Sequence, residues 1–337
     1  EAWMSKESLE SDPELQPIIE YWDAIEKVWP EKMKQYQETI ADWEKAQKEG
    51  TWVPEKPLSP RSPKDGASYS KLYNAMIAPM IPYGIRGVIW YQGESSTVRA
   101  HQHRTQFPAM IRGWRDAWNQ GDFPFLFVQL PGWETETWPI HGRALTWPEM
   151  RESQLMTLSV PNTGMAVTID IGDGFNAHPN NKWDIGHRLA LAALKKAYNR
   201  DIVYSGPMYE SMKKTGASIR LRFSHTADGL TTGKSGKLKG FAIAGKNRVF
   251  IDAKARIDGD EVIVSSGEVP NPEAVRYGWD DNPECTLYNS AGLPASPFRT
   301  DDWPGTTDGL LVPYDRKALY YWYPPPDMRH IIMDIGH

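Results

Sequence analysis

A single cysteine, Cys285, stands among the 337 residues. One thiol closes no internal disulfide, and no cysteine or histidine lies at metal-ligand spacing from it, so a disulfide scaffold and a cysteine-based zinc site are both excluded. Long apolar runs are missing too. The longest, such as Phe123 to Leu130, fall far short of the roughly 20 residues that span a bilayer, which removes a membrane-spanning role. Positive charge is not in excess. Lys and Arg number 38 against 43 Asp and Glu, a net charge of −5 with both signs interspersed, so nothing resembles the basic patch that a phosphate backbone requires. Nucleic acid and membrane are therefore set aside as partners, and no cofactor is called for. No repeat of solenoid length is visible either.

Aromatic residues, by contrast, are abundant. Fifteen Trp and fifteen Tyr exceed what an ordinary domain carries, and flat aromatic faces are what sugar rings stack against, although core filling accounts for most of them. At this length two modules are expected. Between Leu15 and Trp43 apolar residues recur every three or four positions among Glu and Lys, which predicts helix. Pro30 fits a first helical turn better than an interior, so a helical hairpin inserted at about residues 12–64 is expected, with the prolines Pro54, Pro57, Pro60 and Pro63 in its return loop.

The following stretch alternates strand-like and helix-like segments. Ile85 to Tyr91, Pro124 to Leu130 and Thr163 to Asp170 read as strands, and Arg99 to Trp118, Trp147 to Leu158 and Asn181 to Tyr198 as helices. This β-α-β-α order predicts a parallel sheet covered by helices over about residues 1–200, with ligands at the carboxyl ends of its strands. From 201 to 303 short period-two segments separated by Gly, Asn and Asp predict an antiparallel, sandwich-like β module. Residues 304–337 form a tail with no assigned structure.

Two strand ends carry chemistry. The first delivers Gln92-Gly93-Glu94-Ser95-Ser96, a turn able to aim amide and backbone N–H groups at a developing oxyanion, with Trp90 beside it as a candidate sugar contact. The third runs Asp170-Ile171-Gly172-Asp173-Gly174-Phe175-Asn176-Ala177-His178-Pro179 into a helix, where the dipole favours the neutral imidazole of a general base. Gly93-Glu94-Ser95 lacks the second glycine of a nucleophile elbow. His101 and His103, two apart on a helix, point in different directions and make a poor metal pair. His187 and His225 have no evident partner.

These blocks resemble one family. Leu72-Tyr73-Asn74-Ala75-Met76-Ile77-Ala78-Pro79 and Ile85 through Ser95 are similar to the central block of the sialate O-acetylesterases, within the SGNH hydrolases. Phe123 to Leu130, Trp147 with Arg151-Glu152 and Gln154, His178-Pro179-Asn180-Asn181-Lys182 with Gly186 and Arg188, Val275 to Trp279, and Leu287-Tyr288-Asn289 resemble it in the same order, over about residues 1–303. The resemblance implies a flavodoxin-like parallel sheet with helices on both faces. It also implies a serine that attacks an acetyl ester on a sugar or polysaccharide, His178 as its base, and Gln92 and Gly93 in the oxyanion block with Glu94.

The family's nucleophile lies in a Gly-Gln-Ser-Asn segment, and neither that nor Gly-Asp-Ser occurs in these residues. The chain opens on Glu1-Ala2-Trp3, so the nucleophile and any signal for a secreted or periplasmic location are expected upstream. Many relatives carry Asp two residues before the histidine, where this chain has Asn176, assigned here to substrate. Asp173, Asp170 or no acid at all then orients His178. The alternative to an esterase is a carbohydrate-binding or scaffold protein that keeps the fold without catalysis.

Overall fold

A computed structural model of the chain describes residues 1–50, 56–57, 59–60, 62–64, 66, 68–134 and 146–311. Its α-helices are α1 (Lys6–Glu10), α2 (Gln16–Lys48), α3 (Ala100–Trp118), α4 (Thr146–Met156) and α5 (Lys182–Lys196). Strands β1 (Val88–Trp90), β2 (Phe125–Val128) and β3 (Thr163–Ala166) pair in parallel in that order. Parallel neighbours need a long crossover, which α3 and α4 supply. Strand residues alternate between faces. Phe125 and Phe127 meet Phe107 of α3 at ring-centroid distances of 5.9 and 5.1 Å. On the opposite face a Cβ added at Gly164 would lie 3.0 Å from Leu126 and 3.3 Å from Ala192 of α5, so that helix packs directly on the strand. The sheet thus has helices on both faces, as the alternation of segments predicts.

Beyond it lie β4 (Met208–Thr215), β5 (Ser218–Ser224), β6 (Leu230–Thr231), β7 (Phe241–Ala244), β8 (Ile251–Asp252), β9 (Lys254–Asp258), β10 (Glu261–Ser265), β11 (Ala274–Tyr277), β12 (Tyr288–Asn289) and β13 (Phe298–Arg299). Two four-stranded antiparallel sheets, β4-β5-β10-β9 and β13-β11-β7-β8, face each other through buried Ile219, Leu221, Val262, Ile243, Val275 and Tyr277. Tyr209 of β4 stacks on Phe298 of β13 at 4.7 Å, closing the sandwich across its layers.

Two expectations are corrected. The helical hairpin is one continuous helix, α2, with Pro30 inside it. Proline removes one N–H donor and crowds the carbonyl of Glu26, but the surrounding turn is exposed and water can solvate that carbonyl. The apolar spacing Ile25, Trp29, Met33, Tyr36, Ile40, Trp43 runs through the proline unbroken, and it decides the conformation.

The division near residue 200 also moves. The chain separates into one compact unit of Glu1–Tyr83 with Ala109–Trp118, and another of Gly84–Pro108 with Asn119–Leu310. The β module therefore belongs with the parallel sheet. The described start of the expected tail joins the same unit: Thr307 donates through its backbone N and Oγ1 to Glu149 at 3.0 and 2.6 Å, and accepts from His101 N at 2.9 Å. Residues 312–337 lie outside the described residues.

Arg151 ties the sheet to the module. Fully buried, it donates to Leu130 O, Pro131 O, Asp280 O and Asp281 O at 2.5–3.0 Å. Burial pushes its guanidinium down to about 10, so it stays charged at neutral pH. Arg151→Ala is expected to lower stability by roughly 4 kcal/mol, because buried carbonyls lose their donors and a cavity opens. The urea midpoint of unfolding checks this.

Candidate active site

The carboxyl ends of β1 and β2 are held by Gln154, a buried side chain of α4. Its Nε2 donates to Val128 O at 3.2 Å and Gln92 O at 3.4 Å, and its Oε1 accepts from Leu130 N at 2.8 Å. Strand-end carbonyls and amides with no further strand to pair would otherwise be left unmet in the interior. Gly93 suits this tight spot, since a Cβ would lie only 3.0 Å from Gln154 Nε2 and 3.4 Å from Leu130.

The third strand end is braced separately. Arg188 of α5 grips both oxygens of Asp170, at 2.6 and 2.7 Å, and donates to Val167 O at 2.6 Å. Asp170 is thereby committed to Arg188 and is not the partner of His178. The loop then passes close to the chain after β2, where a side chain at Gly172 would overlap the Gly132 backbone, and Glu134 N donates to Gly174 O at 3.0 Å. Successive polar turns bring the histidine out. Asp173 Oδ1 accepts from Phe175 N at 3.0 Å, Asp173 O from Asn176 N at 3.0 Å, and Asn176 Oδ1 from His178 N at 2.9 Å.

So placed, His178 points its Nε2 at Glu94 Oε1, 3.9 Å away, with the imidazole 76% exposed and the carboxylate 23%. Glu94 Oε2 meanwhile accepts from Gly93 N at 3.0 Å, which occupies that N–H. The Gln92 side-chain amide makes no hydrogen bond among the described residues and is half-buried, a donor held without a partner. The β1 end and the β3 loop therefore converge, and the acid that faces the imidazole is Glu94. Asp173 and Asn176 shape the turn that presents His178. Trp90 packs against Phe125, ring centroids 6.3 Å apart.

Neighbouring groups define the surroundings. Burial, with Glu94 adding to it, pushes the Tyr91 phenol up to about 12, so it stays protonated, and Lys182 Nζ sits 4.9 Å from its ring centroid. His101 and His103 separate as helical spacing requires. His101 Nδ1 lies 2.7 Å from Asp308, and buried His103 shares a 2.8 Å hydrogen bond with Ser153 Oγ. Among the described residues no three side chains converge on a metal position. No described helix is long and apolar enough to cross a membrane.

Burial lowers His103 to about 3. Its folded-state pKa then lies below the roughly 6.5 of an unfolded histidine, so between those values only the unfolded chain takes the proton. Stability is complete above about pH 6.5 and falls with acid by up to about 1.4 kcal/mol per unit until about pH 3. His103→Gln is expected to flatten that slope, as read from denaturation midpoints at pH 7, 6 and 5.

The ordered blocks, the parallel sheet and the meeting of Glu94 with His178 can now be set against known proteins. Residues 38–195 match a family model described as carbohydrate esterase, sialic acid-specific acetylesterase. That segment is similar to the sialic acid-specific acetylesterases. The chain is 28% identical to the sialate O-acetylesterase of Rattus norvegicus over 69% of its own length and 47% of the relative's. To the human sialate O-acetylesterase it is 28% identical over 75% of its length and 54% of that protein's. The chain thus spans about half the length of the curated relatives it matches. A crystal structure of a carbohydrate acetylesterase from Xanthomonas citri superposes with a TM-score of 0.68 at 45% identity, covering 71% of this chain and 55% of that one. The family resemblance carried by the sequence blocks agrees with all of these.

Three features escaped the sequence. Glu94 facing His178, Gln154 bracing two strands and Arg188 holding Asp170 all join residues far apart in the chain. Only the family blocks, which contain Gln154 and Arg188, hinted at the last two.

Proposed function

We propose that the chain is part of a carbohydrate O-acetylesterase working through a serine acyl-enzyme, with the serine supplied by sequence N-terminal to Glu1. In this reading the serine oxygen attacks the acetyl carbonyl while His178 Nε2 takes its proton. The same proton passes to the departing sugar oxygen, and water then hydrolyses the acyl-enzyme to acetate. The Gln92 amide donates to the oxyanion. Glu94, facing the imidazole, stabilises its charged form during attack. Gly93 N–H joins the oxyanion hole only when Glu94 Oε2 releases it. The substrate is an acetylated sugar or polysaccharide, and a secreted or periplasmic location suits such a substrate.

The observation that carries the reading is the 3.9 Å approach of His178 Nε2 to Glu94, which brings two strand-end segments to one point. It is tested with a longer chain that includes a Gly-Gln-Ser-Asn segment, assayed for acetate release from an acetylated sugar. Gln92→Ala is expected to lower kcat roughly 10–1,000-fold with KM little changed, as loss of an oxyanion donor does. An unchanged kcat with a shifted melting temperature would make Gln92 a structural cap instead.

A further inference from the structure

Two aromatic side chains beside His178 have no use in the mechanism above. Phe175 and Trp183 are 86% and 84% exposed, the highest values of any large apolar side chain among the described residues. Burial normally draws such residues inward. Both stand on fixed backbone: Phe175 N is bound by Asp173 Oδ1, and Trp183 lies in the first turn of α5, whose cap Asn181 accepts from Asp184 N at 3.2 Å. They bracket the histidine, three residues before it and five after.

Their surroundings distinguish the ligand. Asn180, Asn181 and Lys182 are exposed between them in the chain, so hydrogen-bonding side chains flank both rings. A flat ring face beside amide and ammonium donors suits a pyranose, whose C–H face is apolar and whose rim is hydroxyl. We infer that Phe175 and Trp183 are the sugar-binding residues of the site, stacking the pyranose so that its acetyl ester reaches His178. This rests on the carbohydrate-ester reading and adds to it the residues that separate a sugar ester from a simple one. It also moves the aromatic sugar contact from Trp90, which packs on Phe125, to the rim.

The test uses the 337-residue chain labelled with 5-fluorotryptophan, the Trp183 resonance being assigned by its loss in Trp183→Phe. The probes are O-acetylated methyl glycosides of glucose, xylose and N-acetylneuraminic acid, with ethyl acetate as the ester lacking a ring. Ligand-side saturation transfer gives affinities for every variant. At least one glycoside is expected to move the Trp183 signal while ethyl acetate does not, and Phe175→Ala and Trp183→Ala are each expected to weaken it on the order of tenfold. Exposed side chains of this kind leave the core untouched, so both variants should fold. Glycoside binding that survives both substitutions unchanged overturns the stacking role and leaves the carbohydrate reading standing. Absence of glycoside binding to the unsubstituted chain overturns both.

Discussion

Acetate release from 4-nitrophenyl acetate by the 337-residue chain is expected to be unmeasurable, at least about a thousandfold below that of a longer chain carrying a Gly-Gln-Ser-Asn segment. The reason is chemical. The described strand ends bring His178 to the Glu94 carboxylate, two residues after Gln92, but the sequence holds no Gly-Gln-Ser-Asn or Gly-Asp-Ser segment to supply the attacking oxygen of the proposed mechanism. Without a covalent nucleophile, oxyanion and binding effects leave only a small residue of the rate. Turnover by the shorter chain at the rate of the longer one would sink the proposal and turn attention to Ser95, exposed just after Glu94. Inactivity of both chains would favour a carbohydrate-binding protein that keeps the esterase fold.

The second large effect concerns the base. In the longer chain, His178→Ala is expected to lower kcat by roughly a thousandfold or more, because serine is a poor nucleophile unless a base removes its proton during attack. Stability should hardly change. The imidazole is mostly exposed, and the hydrogen bond that shapes the loop uses the backbone N of residue 178, which alanine retains. His187, exposed on α5, supplies the control: His187→Ala should leave both kcat and the melting temperature as they were. Near-normal kcat in His178→Ala, measured alongside its unfolding midpoint, would remove His178 from the mechanism.

Much of this architecture was legible in the amino-acid order, since it depends on local rules. Apolar runs before Gln92-Gly93 and Asp170-Ile171-Gly172 located two of the parallel strands, although β3 ends at Ala166, four residues short of Asp170, and Asn181 before an amphipathic run located the start of α5. Where two local rules conflicted, the sequence misled. Pro30 was weighed as a helix start, whereas an apolar stripe continuing through it outweighs one lost hydrogen bond on an exposed turn.

By itself, then, the sequence determined the parallel α/β core and the antiparallel module, and it placed Gln92 and His178 after strands of that core. Tertiary structure alone decided the partnerships. Asp170 and Asp173 are nearer to His178 in the chain than Glu94 is, yet Arg188 claims the first and a turn uses the second, while Glu94 arrives from a different strand. Whether Phe175 and Trp183 fill a core or face solvent was equally unreadable, because exposure depends on what packs above a residue. Periodicity is fixed by the nearest few neighbours along the chain, but the pairing of distant side chains is fixed by strand order and loop path, which no short stretch of sequence encodes.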